Sequence, residues 1–157
     1  MITKSSFRGV TWIDMESPSS DDVAKIRREF DIHSMVAQEM SVPSLRPKVD
    51  VYSNAVYLVL YFPVYEHGKP GFSDDGSHGS REVDFIIGKD FIVTVHYERI
   101  DQFYDFTKLF EVGELMGSGK EESVDAGFVF FNIMKGLYRS NEDHLESINS
   151  NLKNNEH

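Results

Sequence analysis

Apolar and polar positions mix along Gly9-Val10-Thr11-Trp12-Ile13-Asp14, a run rich in β-branched and aromatic residues that predicts a strand. Ser17-Pro18-Ser19-Ser20-Asp21-Asp22 then reads as a helix start. Either Ser17 caps with Pro18 at the first helical position, or Ser19 caps with Asp22 three residues on. The two acids suit the positive end of the helix, and Val23, Ile26 and Phe30 give it one buried face. A second, short helix is expected from His33 to Met40, ending before Pro43. Lys48 to Tyr52 predicts a strand and Ser53-Asn54 a tight turn. Ala55 to Val64 is a long strand with apolar residues on both faces, which points to a central position.

Glu66 to Arg81 contains Gly68, Pro70, Gly71, Gly76 and Gly79 and reads as a long exposed hairpin loop, because strand patterns flank it closely. Val83 to Ile87 and Phe91 to Tyr97 form a second hairpin around Gly88-Lys89-Asp90. Phe103, Phe106, Leu109 and Phe110 recur at helical spacing over Asp101 to Phe110, and Gly113 to Lys120 is a second glycine-rich loop. From Ser123 onward Val124, Phe131, Tyr138, Leu145 and Leu152 recur every seven residues, with Gly127, Met134, Asn141 and Ile148 three positions later. Such a heptad-like seam predicts a helix of roughly 25–30 residues. It carries no Gly or Pro stop before His157, so the helix is expected to run off the end of the chain. Strands and helices together predict an α/β domain.

Composition narrows the function. With 157 residues the chain is expected to form one domain, or one domain plus a helical extension, and 40% hydrophobic residues argue against a disordered one. The formal net charge of −10 repels phosphates, so nucleic acid is not an expected partner. Cysteine is absent, which removes disulfides, thiolate metal sites and a Cys nucleophile. The longest apolar run, Ala55 to Val64, is too short to span a bilayer, and the first residues lack a signal-peptide core.

No catalytic constellation assembles. Gly113 to Lys120 fails as a phosphate loop: Glu114 stands where the first Gly is needed, and Glu121 where Ser or Thr must follow Lys120. Glu66, His67, Asp74, Asp75, His78 and Glu82 crowd one loop, but without EF-hand spacing or a His pair one helical turn apart. The loop reads as solvated. His33 and His96 each sit among apolar residues and read as hydrogen-bonded structural histidines.

The run Ile32-His33-Ser34-Met35-Val36-Ala37-Gln38-Glu39-Met40, then Leu45-Arg46-Pro47-Lys48-Val49-Asp50-Val51-Tyr52, then Val56-Tyr57-Leu58-Val59-Leu60, resembles the CorA family of magnesium transporters. Trp12-Ile13-Asp14 and Ser17-Pro18 upstream, and Glu82 to His96 with the start of the last helix downstream, extend the similarity to about Val10 through Leu152. Ser34 replaces the usual Pro of the pattern, Gln38 the usual Glu, Glu39 the usual Asp and Leu45 the usual Gln. The resemblance implies a mixed β-sheet between helical layers, an α/β/α sandwich. Residues 1–122 would be the cytoplasmic α/β domain, and 123–157, part of the same structural domain, the truncated start of a stalk helix. It further implies a sensor-and-funnel domain, non-enzymatic, that regulates Mg2+ passage through a pore lying beyond this chain. Its setting would be the cytoplasmic face of the cell membrane, with membrane contact only through the missing part. The partners implied are divalent cations and other copies of the chain in a homopentamer.

Glu39 is the one regulatory metal ligand that carries over, as half of a site completed by a neighbouring subunit, so Mg2+ should be held weakly and not retained by this piece alone. His33, Arg46, Pro47 and Lys48 carry over as the structural motif of the helix–strand corner, where Arg46 and Lys48 are expected to pair with nearby acids. Alternatives are a zinc-transporting relative of the same family and a stand-alone metal-dependent hydrolase using the Glu66–Glu82 loop.

Overall fold

A computed structural model describes residues 1–63, 80–113 and 124–155; within these, the side chains at 63, 140–145, 147 and 148 are left out of the description. The strands are β1 (Ile2–Phe7), β2 (Val10–Glu16), β3 (Lys48–Val51), β4 (Val56–Pro63), β5 (Ser80–Ile87) and β6 (Phe91–His96). The helices are α1 (Ser20–Phe30), α2 (Ser34–Glu39), α3 (Asp101–Glu111) and α4 (Ala126–Asn155). One six-stranded sheet runs in the order β1-β2-β6-β5-β4-β3. Among the described residues only the β2–β6 pairing is parallel, with Ile13 opposite Val93, so the sheet is mixed as expected.

Helices cover both faces. On one face Ile13, Met15, Val93, Val95, Ile86, Tyr57 and Val59 pack under Val23 and Ile26 of α1 and Val36 and Ala37 of α2. On the other Val10, Trp12, Ile92, Val83 and Phe85 pack under Phe103 and Phe110 of α3 and Ala126, Val129, Ile133 and Leu137 of α4. Trp12 meets Phe103 and Phe110 edge-on at 6.1 and 5.8 Å between ring centroids. Each such side chain withdrawn from water contributes roughly 1.5–3 kcal/mol. All six residues of β6 are buried, and four of them are apolar, Thr94 and His96 being the polar ones.

Local rules place the ends of the elements. α1 opens with Ser19, not Ser17, in a reciprocal capping box. The Asp22 N–H donates to Ser19 Oγ at 3.2 Å, and the Ser19 N–H to Asp22 Oδ2 at 3.0 Å. α2 opens on His33, whose Nδ1 accepts the Met35 N–H at 3.2 Å. The Tyr52 N–H donates to the Ala55 oxygen at 2.8 Å across the predicted Ser53-Asn54 turn.

Three details differ from the sequence pattern. β1 has no counterpart among the predicted strands; it pairs with β2 along the sheet edge. β4 lies second from the opposite edge, not centrally, and its two apolar faces reflect helical cover on both sides. The seven-residue seam of α4 is not its buried face. Ala126, Val129, Ile133 and Leu137 face the sheet, whereas Phe131 and Tyr138 are 59% and 66% exposed. The Glu66–Arg81 loop up to Gly79, and the second glycine-rich loop beyond Gly113, lie outside the described residues.

Candidate functional site

The corner where α2 gives way to β3 gathers most of the site residues expected from the sequence. His33 stacks on Tyr52 at 4.8 Å between rings, beyond its capping role. Glu39 ends α2, and its carboxylate is paired with the Lys48 ammonium. Lys48 opens β3, reaches Asp50 Oδ2 at 3.1 Å and lies over the Tyr57 ring at 5.1 Å from its centroid. The pairing expected for Lys48 is therefore with Glu39 itself and with Asp50. Pro47 precedes the strand, where its missing N–H costs no ladder bond, and Arg46 is exposed beside it.

Sequence reasoning put Glu82 in the Glu66–Glu82 loop and missed Asp84; both lie in β5, beneath this corner. Glu82 of β5 accepts the backbone N–H of Ser44 at 2.7 Å and of Leu45 at 3.2 Å, and the Tyr61 hydroxyl at 2.6 Å. One carboxylate thus anchors the loop from Ser41 to Pro47, in which Leu45 holds a left-handed φ of 63°. Two residues on, Asp84 is fully buried and accepts the Tyr57 hydroxyl at 2.7 Å on Oδ2. Among the described residues its Oδ1 meets no donor. The Tyr97 hydroxyl closes the corner from above, donating to the Val42 oxygen at 2.8 Å and the Glu39 oxygen at 3.3 Å.

Burial sets the electrostatics. Asp84 is pushed up to about 8, chiefly by burial, with Glu82 and Glu39 adding to the rise and the Tyr57 hydrogen bond opposing it. Tyr57, Tyr61 and Tyr97 are all pushed well above the ordinary phenol value, by burial first and by the neighbouring acids next. Lys48 is raised, mainly by its hydrogen bond to Glu39. Near neutral pH the corner therefore holds a neutral Asp84, three neutral phenols, and Lys48 between two carboxylates. A divalent cation could use Glu39 only by displacing that ammonium. Among the described residues no group of three or more His, Asp or Glu is arranged to hold a metal ion. The signal that could have found Asp84 is an acid in the otherwise apolar Val83-Asp84-Phe85-Ile86-Ile87, since charge in a two-sided buried strand demands a partner.

A mixed sheet between two helical layers, closed by a 30-residue helix, defines the class of fold. The same architecture occurs in the full-length CmaX protein (TM-score 0.69, 12% identity, 92% of this chain and 40% of that one). It occurs in the CorA magnesium transporter from Methanocaldococcus jannaschii (TM-score 0.67, 15% identity, 98% and 49%). It occurs again in the ZntB cytoplasmic domain from Vibrio parahaemolyticus (TM-score 0.64, 10% identity, 94% and 55%). At these identities the likeness is one of fold. The family follows from the sequence itself: the model described as CorA-like Mg2+ transporter protein matches residues 7–157, and the chain belongs to that family. A comparison with curated proteins gives no match. The chain spans 40% to 55% of the three solved structures named above, and among its described residues no helix is long and apolar enough to cross a membrane.

Proposed function

We propose that this chain is the cytoplasmic sensor-and-funnel domain of a CorA-like divalent-cation transporter, with no enzymatic role, regulating Mg2+ passage through a pore built outside it. The observation that carries the reading is the family match over residues 7–157. Residues 1–122 would form the α/β body and 123–157 the start of a stalk, with five copies around a common axis. Glu39 supplies one carboxylate of a regulatory cation site, and a neighbouring subunit supplies the other. Mg2+ suits such a site because it keeps several waters and takes one or two carboxylates. Lys48 neutralises Glu39 in the single chain, so the cation wins only where a second acid is docked beside it. Zinc as the transported ion is the second reading, favoured by the fold shared with the ZntB cytoplasmic domain.

Cation uptake tests the proposal. Cells lacking their own magnesium importers receive the whole gene that encodes this chain, and cytosolic Mg2+ and Zn2+ are followed with fluorescent indicators. Mg2+ entry that shuts off as cytosolic Mg2+ rises, and shuts off later in Glu39→Gln, is the expected result. Entry of Zn2+ alone would establish the second reading, and entry of neither would refute both.

A further inference from the structure

On the opposite face of the sheet from Asp84 a second polar chain runs beneath α3. Trp12 Nε1 donates to Thr94 Oγ1 at 3.0 Å, and Thr94 Oγ1 donates to Asp14 Oδ1 at 2.5 Å. An indole N–H can only donate, so the Thr94 oxygen accepts from it and the Thr94 proton turns to Asp14. Asp14 is thereby held as an acceptor. His96, 1% exposed, places Nε2 3.2 Å from both Asp14 oxygens and Nδ1 2.6 Å from the Glu98 backbone oxygen. Both neighbours accept and neither donates. A neutral imidazole carries one N–H and would turn a bare lone pair onto an oxygen at one end or the other. His33 shows the contrary case, since its Nδ1 accepts the backbone N–H of Met35.

We infer that His96 is a buried imidazolium that ties the end of the parallel β2–β6 pair to the turn leading into α3, and that this tie opens when the ring loses its proton. The turn depends on it. α3 begins at Ile100 with no side-chain cap of its own, and Phe103 in its first turn packs edge-on against the His96 ring at 5.3 Å. The charges around the ring favour the cation. β2 brings Asp14 and Glu16; β5 brings Arg81, which is paired with Glu98; Arg99 in the turn is paired with Asp101 at the start of α3. α4 presents Val129, Ile133 and Leu137 to this layer, none of them titratable. Burial alone would lower the affinity of the ring for its proton, but the hydrogen bond and charge of Asp14 outweigh it and the net shift is upward. The stabilisation is complete below the unfolded value of 6.5 and is lost as pH rises through the higher folded one.

The test is a pH series on the chain with 15N-labelled histidine, reading ring nitrogens by long-range 1H–15N correlation and α3 amides by hydrogen exchange corrected for intrinsic rate. At pH 7 His96 should show both ring nitrogens protonated, and Asp14→Asn should drop its pKa by about one unit or more, a tenfold loss of proton affinity. Exchange at Phe103 to Thr107 should hold steady below the folded pKa of His96 and rise about tenfold above it. A single protonated ring nitrogen in the wild type at pH 6.5–7 would overturn the charge assignment whether or not Asp14→Asn folds. Exchange indifferent to the titration would overturn the tie to α3.

Discussion

Asp84 stands at the centre of the α2–β3 corner without touching solvent, and its two oxygens face different demands. Oδ2 receives the Tyr57 hydroxyl, whereas its other polar neighbour is the Glu82 carboxylate, which only accepts. A proton on Asp84 turns that conflict into a hydrogen bond. Folded Asp84 keeps the proton up to about pH 8, and the unfolded chain releases it near 3.8. Its contribution to stability is therefore complete below 3.8 and is lost progressively as pH rises to about 8, by up to ~1.4 kcal/mol per pH unit. Asp84→Asn keeps an acceptor for Tyr57, supplies an amide donor toward Glu82 and carries no charge. Urea unfolding should show this variant gaining on the wild type by ~2 kcal/mol or more between pH 5 and pH 8. Parallel stability curves would mean that Asp84 is ionised in the fold.

The elements were legible where burial imposes one period, and less so where it imposes none. β6 and the β5–β6 hairpin announce themselves because both faces of each strand are covered. Gly88 in that hairpin has a steric reason to be glycine: a Cβ there would lie 2.1 Å from Cε1 of Phe91, a ring packed between the sheet and Phe30. Gly88→Ala should cost about 1–3 kcal/mol as overpacking, read as a lower thermal midpoint with the fold kept. An unchanged midpoint would show that Phe91 can move aside. β1 was illegible because an edge strand half in water reads Ile-Thr-Lys-Ser-Ser-Phe, with polar residues wherever solvent reaches. α4 carries two apolar registers, and the heptad count picked the one that leaves Phe131 and Tyr138 exposed. Of the candidate site, Glu39 and Lys48 were found, and Lys48 was expected to pair with a nearby acid, but that the acid is Glu39 itself was not legible. Asp84 escaped, and Glu82 was read as a loop acid, because the groups they serve, Tyr57 and Ser44, lie 27 and 38 residues away along the chain.

At the scale of the whole molecule, charge and the exposed stripe of α4 act against each other. Phe131, Tyr138 and Leu152 offer an apolar seam, but each copy carries a net charge of −10. Five such domains brought around one axis without further contacts should repel. Sedimentation at physiological salt should give a monomer or a weak, salt-promoted association, and a stable pentamer would show that the domain carries its own assembly interface. The same reasoning bears on cation sensing. If the regulatory site is shared between subunits, a single copy holds one carboxylate already neutralised by Lys48 and has little affinity to lose. Magnesium titration of this chain by calorimetry is the most direct measurement. Binding on the order of millimolar or weaker, unchanged by Glu39→Gln, is the predicted result for a half-site of low charge. Micromolar binding that disappears in Glu39→Gln would place a complete site within one chain and contradict the shared one.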